Sequence, residues 1–593
     1  MKSTASSFVL CVWILVASAG CSVVGWIPVV VSPDEYLAHI SLLAHDELGG
    51  RGMGSHGIDL AAGYIAGHFA AVGIEPGGPD GTYFQEFSLP GSAKLLDDTH
   101  LEFEGADVTA ALDDEFRPFS FSSKGDIDGD LVFVGYGITN PDQEHDDYAD
   151  IDVEGNVVLM LRREPESWGS GYTQHASFES KVNRAAELGA VAVLITNQDT
   201  GSDRLRRFGN SSETYRLPAM HIKRDIADAL LAAGGLGSLT DLQTQLNEEG
   251  ANVSAAVDGV HVHGTVAFES TEIIARNVIG VLPATGSHAD EYVVIGAHYD
   301  HLGVTRGQIN NGADDNASGV AGMIEIARAM ARTRKRDRSI IFIGFTAEEK
   351  GMVGSKHYVD HPTVPLESII AMINLDMIGR FDESSDQNHL GIHGLATGDS
   401  FKSIVNRNGK AVGFAGYQGD DSALGPSDHA SFYRAGIPAL FFFTGVHEDY
   451  HRPSDDTPKI NAKAAARVAD FAYHVALDIA NGGEAPEYVE VTQRARIPGR
   501  GPRGNRVRIG FMPDFQDESD KPGVLVDRVS SGSGAAKAGM QDGDRIIKIA
   551  DKKIDAMMDL RPTLKDNKPG DVVEVTVLRD GKEVVLEVEL SGG

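Results

Sequence analysis

At 593 residues the chain exceeds what one hydrophobic core usually organises, and at roughly 150 residues per domain three or four units are expected. Hydrophobic residues make up 42% and charged residues 23%, ordinary globular usage that argues against wholesale disorder and against a polytopic membrane protein. With 86 acidic against 52 basic residues the net charge is −34, which repels polyanions, so no nucleic-acid partner is expected and the acidity reads as a solubility or high-salt trait.

The N-terminus carries the only two cysteines, Cys11 and Cys21, which leaves the folded body without thiol or disulfide. Lys2, an uncharged apolar run from Phe8, and the small residues Ala17-Ser18-Ala19-Gly20-Cys21 read as a signal peptide over residues 1–21. The segment resembles a bacterial lipoprotein signal, which implies acylation of Cys21. Because uncharged sequence continues through Val31, an uncleaved membrane anchor is the other reading. Both imply export to the periplasm or cell surface, with membrane association through the N-terminus.

Helical patterns follow from Pro33 to about Tyr83, with Leu60, Tyr64, Ile65 and Phe69 at helical spacing within residues 57–72. Between about residues 95 and 268 the texture changes to short strands, such as 131–134 and 157–160, alternating with helical stretches such as 178–188. This reads as an inserted α/β module, placed at residues 125–259, with 33–124 as the first part of the main domain. From 270 to 482 strands and helices alternate regularly. Strands are predicted at 292–297, 340–345, 369–375 and 439–444, each a continuous apolar run, and a helix at 318–331 carries Val320, Met323, Ile324 and Ala327 on one face. The fold class is therefore α/β, a mixed, mainly parallel sheet flanked by helices. Residues 483–505, rich in Gly, Pro and Arg, read as a linker to a last domain at 506–593.

Ligand-type residues gather where these strands end. Gly296-Ala297-His298-Tyr299-Asp300-His301 closes the first, and in extended chain Asp300 shares a face with His298, where its carboxylate can orient the imidazole. Gly312-Ala313-Asp314-Asp315-Asn316 precedes the helix, with adjacent carboxylates that call for a neutralising cation. Glu348 and Glu349 follow the second strand, a pair that can divide metal binding from proton transfer. Asp376 follows the third and His451 the fourth. Taken singly each has a bland reading, as a helix cap or solvated charge; together they occupy the strand ends where open α/β sheets bind ligands. Two histidines and three carboxylates suit two zinc ions that share one carboxylate.

Over residues 296–455 these motifs resemble the di-zinc aminopeptidase family, relatives of glutamate carboxypeptidase that also include glutaminyl cyclase and the catalytically silent transferrin receptor. The resemblance implies that Asp315 bridges the metals, that His298 and Asp376 complete one site and Glu349 and His451 the other, and that Glu348 is the general base. It also implies a cis peptide between Asp315 and Asn316, and Tyr450 as an oxyanion donor. His261, His263, His389 and His393 fall outside the motifs and read as surface or packing residues.

The insert resembles a protease-associated domain through Gly135-Tyr136-Gly137 and residues 181–197, and reads as a lid over the cleft. The last domain resembles a PDZ domain through Arg508-Ile509-Gly510-Phe511 and residues 532–544, which implies capture of a peptide's C-terminal carboxylate; simple packing or dimerisation is its other reading. The function expected is a zinc exopeptidase acting on peptides, an aminopeptidase before a carboxypeptidase or dipeptidase. Arg306, Arg380 and Arg452 are the nominal anchors for a substrate carboxylate, and Glu448 and Asp449 lean toward a substrate amine. Glutaminyl cyclase is disfavoured because Trp168 alone remains outside the N-terminus to line an indole pocket, and a non-catalytic receptor because every ligand-type residue is present.

Overall fold

The structure is a computed structural model describing residues 30–491 and 507–592, apart from 169–172, 200–202, 207, 210–215, 249–250, 383–388, 415–416, 515–520, 531 and 566. The signal segment with Cys11 and Cys21, and most of the linker, lie outside the described residues. No helix among the described residues is long and apolar enough to cross a membrane.

The main domain is built on a sheet of nine strands among the described residues. At its centre Arg338–Phe345, His288–His298, Ile369–Leu375 and Ala439–Phe443 lie parallel in that order. Phe268–Leu282 flanks them antiparallel on one side and Gly391–His393 on the other. The apolar runs are continuous because both faces are covered. Val293, Ile295, Ile340 and Phe342 face a core closed by the helices Pro33–Leu43, His56–Ala71, Gly319–Arg332 and Ala462–Asn481, while Val294, Ile341 and Ile343 face a second core under Val353–Asp360 and His429–Arg434. Ser55 caps His56–Ala71 by accepting the Ile58 N–H, and Asn461 caps Ala462–Asn481 through Ala464 N–H.

The predicted strand at 292–297 is longer, His288–His298, and the others match within two residues. The insert is larger than residues 125–259. His100–Glu104 and Phe116–Pro118, assigned above to the main domain, pair instead with Ala255–Val266 and Ala219–Ile222 of the insert's seven-stranded sheet. These are edge strands of three to five residues, whose membership is decided by partners more than a hundred positions away. A long antiparallel ribbon, Phe84–Leu95 on Phe268–Leu282, joins the insert to the main sheet.

The last domain is a small antiparallel sheet of Phe511–Pro513, Val524–Val529, Arg545–Ile549, Val572–Arg579 and Lys582–Glu589, with helices Gly534–Lys537 and Leu560–Leu564. It docks on the insert through ion pairs: Arg162 to Asp527 at 2.6 Å, Arg163 to Asp542 at 3.4 Å and Arg206 to Asp514 at 3.2 Å. It also touches the main domain, where Arg306 donates to the carbonyls of Lys521 and Asp555 and Arg452 pairs with Asp559.

Candidate metal centre

The site forms beyond the carboxyl ends of the four parallel strands. His298 is the last residue of its strand, Asp376 directly follows Ile369–Leu375, and Glu348 and Glu349 follow Arg338–Phe345 by a short turn. Asp315 sits in the irregular segment Ala313–Ser318 leading into Gly319–Arg332, and its peptide bond to Asn316 is cis. His451 lies in the loop after Ala439–Phe443. Ala347, Met377 and His451 all have left-handed backbone, each at or beside one of these side chains; such non-glycine conformations cost on the order of 1–3 kcal/mol and concentrate at functional sites. Gly312 at φ +56° makes the turn into Asp315, and a Cβ there would lie 2.0 Å from the Asp315 carbonyl oxygen.

The side chains converge in two groups that share Asp315. On one side His298 Nε2 lies 3.4 Å from Asp315 Oδ1 and 3.5 Å from Asp376 Oδ1. On the other His451 Nε2 lies 3.2 Å from Asp315 Oδ2 and 3.1 Å from Glu349 Oε2. Tetrahedral zinc with bonds of about 2.0–2.2 Å sets its ligand atoms about 3.3–3.6 Å apart, a spacing the His298 group meets and the His451 group, at 3.1–3.2 Å, falls slightly below. Asp315 Oδ2 and Asp376 Oδ1 are buried and accept no well-aligned hydrogen bond from the described residues, which is how oxygens reserved for a cation appear.

Charge in the cluster is balanced by proton placement. Burial opposes a charged imidazole at His298, yet Asp376, Glu348 and Asp315 raise its pKa well above the usual value; at His451 burial is likewise overcome, by Asp315 and Glu349, and the pKa is raised to about 10. Burial pushes the Glu348 carboxyl well above the carboxylate range, with His298 opposing and Asp428, Asp376 and Glu349 reinforcing. Glu348 lies 3.9 Å from His298 Nε2 without belonging to either group.

The Asp300 carboxylate does not hold His298 as the strand pattern suggests. It lies 3.8 Å from His298 Nδ1, which instead faces the Asp300 carbonyl at 3.2 Å. The carboxylate accepts the backbone N–H of Glu348 at 3.1 Å and of Glu349 at 3.3 Å, because the neighbouring strand ends there and leaves those amides unpaired. Asp300 therefore fixes the glutamate turn.

Several contributors went unread in the sequence. His301 places Nδ1 2.8 Å from Glu349 Oε1 and 3.7 Å from Asp315 Oδ2, forming with them a further candidate ligand group. Ser427 donates to Asp376 at 2.8 Å, and Asp455 accepts the N–H groups of Asp314 and Asp315. The buried Arg51 binds the carbonyls of Leu43, Tyr299, Asn311 and Gly312 and so clamps the Asp315 loop. Only His301, three positions after His298, left a sequence signal.

A pocket of about 120 Å³ opens beside the cluster. Met377, Phe441, Phe443 and Val446 give it an apolar wall, and Tyr450 stacks on His451 with ring centroids 3.8 Å apart. His393 and His429, both buried, stack on Phe441 in the lining, so His393 is a packing residue of the pocket wall. Glu448 is exposed, and Asp449 is committed to Arg380, Ser454 and Lys459, so neither faces this pocket.

Comparison with known proteins bears on this geometry. Residues 277–476, which carry all five proposed ligands, match the model of peptidase family M28. The catalytic domain belongs to peptidase family M28. Residues 127–230 match the PA domain and 508–590 the PDZ domain, so this M28 peptidase carries the insert and the C-terminal domain expected of it. The chain is 25% identical to aminopeptidase YwaD of Bacillus subtilis over 58% of its own length and 67% of that protein's. It is 26% identical to a probable lipoprotein aminopeptidase, LpqL, of Mycobacterium tuberculosis over 70% of its length and 74% of that protein's. Among solved structures, an aminopeptidase from Aneurinibacillus sp. strain AM-1 aligns over 78% of the chain and 97% of its own, with 25% identity and a TM-score of 0.46.

Proposed function

We propose that this M28 peptidase is an exported aminopeptidase with two zinc ions, one held by His298, Asp315 and Asp376 and the other by Asp315, Glu349 and His451. The observation that carries the reading is Asp315, whose two oxygens face separate histidine-carboxylate groups. Bound there, zinc would polarise the scissile carbonyl and lower the pKa of water toward about 7.

The remaining chemistry falls to the chain's own groups. Glu348 takes a proton from the attacking water as the water oxygen bonds to the carbonyl carbon, and passes that proton to the amine nitrogen as the C–N bond breaks. Burial raises the Tyr450 phenol far above its ordinary pKa, so it stays a neutral O–H able to donate to the oxygen on which charge develops. Asp300 fixes Glu348 and Glu349 through their backbone amides.

The three arginines considered for a substrate carboxylate are all engaged elsewhere. Arg380 pairs with Asp449 and Asp455, while Arg306 and Arg452 hold the PDZ domain. A pocket bordered by Glu348, Asp376 and Asp315 favours a free amine, and its wall of Met377, Phe441, Phe443 and Val446 favours an apolar first side chain. Trp168 packs in the insert against His145, so no indole among the described residues lines the pocket as the cyclase reading requires. Export with a lipid anchor at Cys21 and capture of a C-terminal peptide by the PDZ domain complete the proposal.

The test compares free, N-blocked and C-blocked peptides on zinc-loaded and chelated enzyme, alongside Glu348→Gln. Cleavage is expected to vanish on N-blocking and on chelation, and Glu348→Gln to lose about 10²–10⁴-fold in kcat with its zinc retained. Equal cleavage of N-blocked peptides would refute the aminopeptidase reading, and a fully active Glu348→Gln the proton shuttle.

A further inference from the structure

Outside the catalytic pocket, the outward face of the PA-domain sheet carries a second concentration of ligand-type side chains. Three adjacent strands, His100–Glu104, Ala255–Val266 and Gly125–Phe133, alternate strictly there. Leu101, Phe103, Ile127, Leu131, Val260 and Val262 enter the core, which turns Glu104, His261, His263, Asp128 and Asp130 outward. The register sets His261 opposite Asp130 on one side and Glu104 on the other, with His263 opposite Asp128.

Within this group the nitrogens divide into an inner and an outer set. His261 Nε2 lies 3.3 Å from Asp128 Oδ1, and His263 Nδ1 lies 3.2 Å from Asp128 Oδ2. Ligand atoms of Asp128, His261 and His263 all fall within 4.8 Å of one another. The other nitrogen of each ring meets a different carboxylate: His261 Nδ1 is 2.7 Å from Asp130 and His263 Nε2 is 3.4 Å from Glu104. Metal-bound histidines characteristically have the far ring nitrogen held by a carboxylate, which fixes the tautomer and turns the near nitrogen toward the ion. The His261–Asp128 separation of 3.3 Å falls in the ligand spacing of about 3.3–3.6 Å around tetrahedral zinc, and the His263–Asp128 separation of 3.2 Å lies just below it. Two imidazoles select a zinc-class cation over magnesium or calcium, which take oxygen donors.

We propose that Asp128, His261 and His263 form an accessory binding site for a zinc-class divalent cation on the PA domain, with Asp130 and Glu104 orienting the imidazoles. The cation bridges two strands where help is useful, because the pairing of Ala255–Val266 with Gly125–Phe133 breaks register between Ala256 and His261. It clips the ladder just after that irregularity and leaves a coordination position open to water or another donor. The site is independent of the catalytic cluster, since none of its residues lines the catalytic pocket.

The test measures zinc per chain on the full-length enzyme after dialysis against buffered free zinc, for the parent, the double variant His261→Ala/His263→Ala and Asp128→Asn, with peptide hydrolysis followed alongside. All three side chains point away from the core, and Asp128→Asn preserves shape. The double variant is expected to hold one zinc fewer per chain at unchanged hydrolysis, and Asp128→Asn to bind that zinc at least about 10-fold more weakly. Cobalt substitution is expected to give the parent a visible four-coordinate band that the double variant lacks in part. Equal zinc content in parent and double variant, or unaltered affinity in Asp128→Asn, overturns the proposal and leaves the cluster a hydrogen-bonded patch.

Discussion

His301 and Glu349 share a 2.8 Å contact in which the imidazole fixes the carboxylate that also faces His451. His301 is buried, and its Nε2 has no partner among the described residues, so its role is carried by Nδ1 alone. Whether it ligates a cation or only orients Glu349, its loss should act on the Glu349 side and spare the His298 side. His301→Ala is expected to weaken one zinc about 10–100-fold, with activity restored by excess zinc, as metal titration followed by hydrolysis rate would measure. A loss that no zinc concentration repairs would count against this role.

At the scale of single elements, the site depends on four strands ending at one level, and their register depends on packing from both faces. Phe342, fully buried in the central strand Arg338–Phe345, lies against Phe69 of helix His56–Ala71 with ring centroids 5.9 Å apart. Removing such a ring costs about 3–5 kcal/mol through lost burial and the cavity left behind. Phe342→Ala should therefore lower the denaturant midpoint of the catalytic domain and, because Glu348 and Glu349 follow this strand, lower activity before unfolding is complete. The same elements account for what was legible beforehand: fully covered parallel strands are continuous apolar runs, so their ends, and the ligands placed there, can be found without a structure. The short strands His100–Glu104 and Phe116–Pro118 could not be placed, since their few alternating residues fit either domain until a partner strand is known.

For the whole molecule, the PDZ domain is held by charge. Burial alone would raise the Asp527 carboxyl, but Arg162 and Arg163, with Arg206 beyond, hold its pKa below the ordinary carboxylate range. A lowered carboxylate pKa makes its contribution complete above the unfolded value near about 4 and loses it only as pH falls through the lowered value. Docking should accordingly persist across neutral pH and fail in strong acid. Asp527→Lys is expected to release the PDZ domain at neutral pH, seen as faster proteolysis between the catalytic and PDZ domains, with hydrolysis of short peptides retained. Unchanged proteolysis would show that the remaining contacts suffice. Arg452, next to His451, pairs with Asp559 at the start of the helix Leu560–Leu564, a separate contact between the PDZ and main domains.

What the chain by itself determined was the chemistry available: a mainly parallel sheet, five ligand-type residues at or beside its strand ends, a neighbouring glutamate, and two accessory domains with recognisable local motifs. Each of these is written within a few residues, as an apolar run or a short signature. The tertiary structure alone decided which groups meet. It turned the Asp300 carboxylate from His298 to the amides of Glu348 and Glu349, brought His301 to Glu349, committed three arginines to other partners, and set His261 and His263 across from Asp128 and Asp130. Those pairings join residues up to hundreds of positions apart, and local patterns of hydrophobicity and charge contain no term for them.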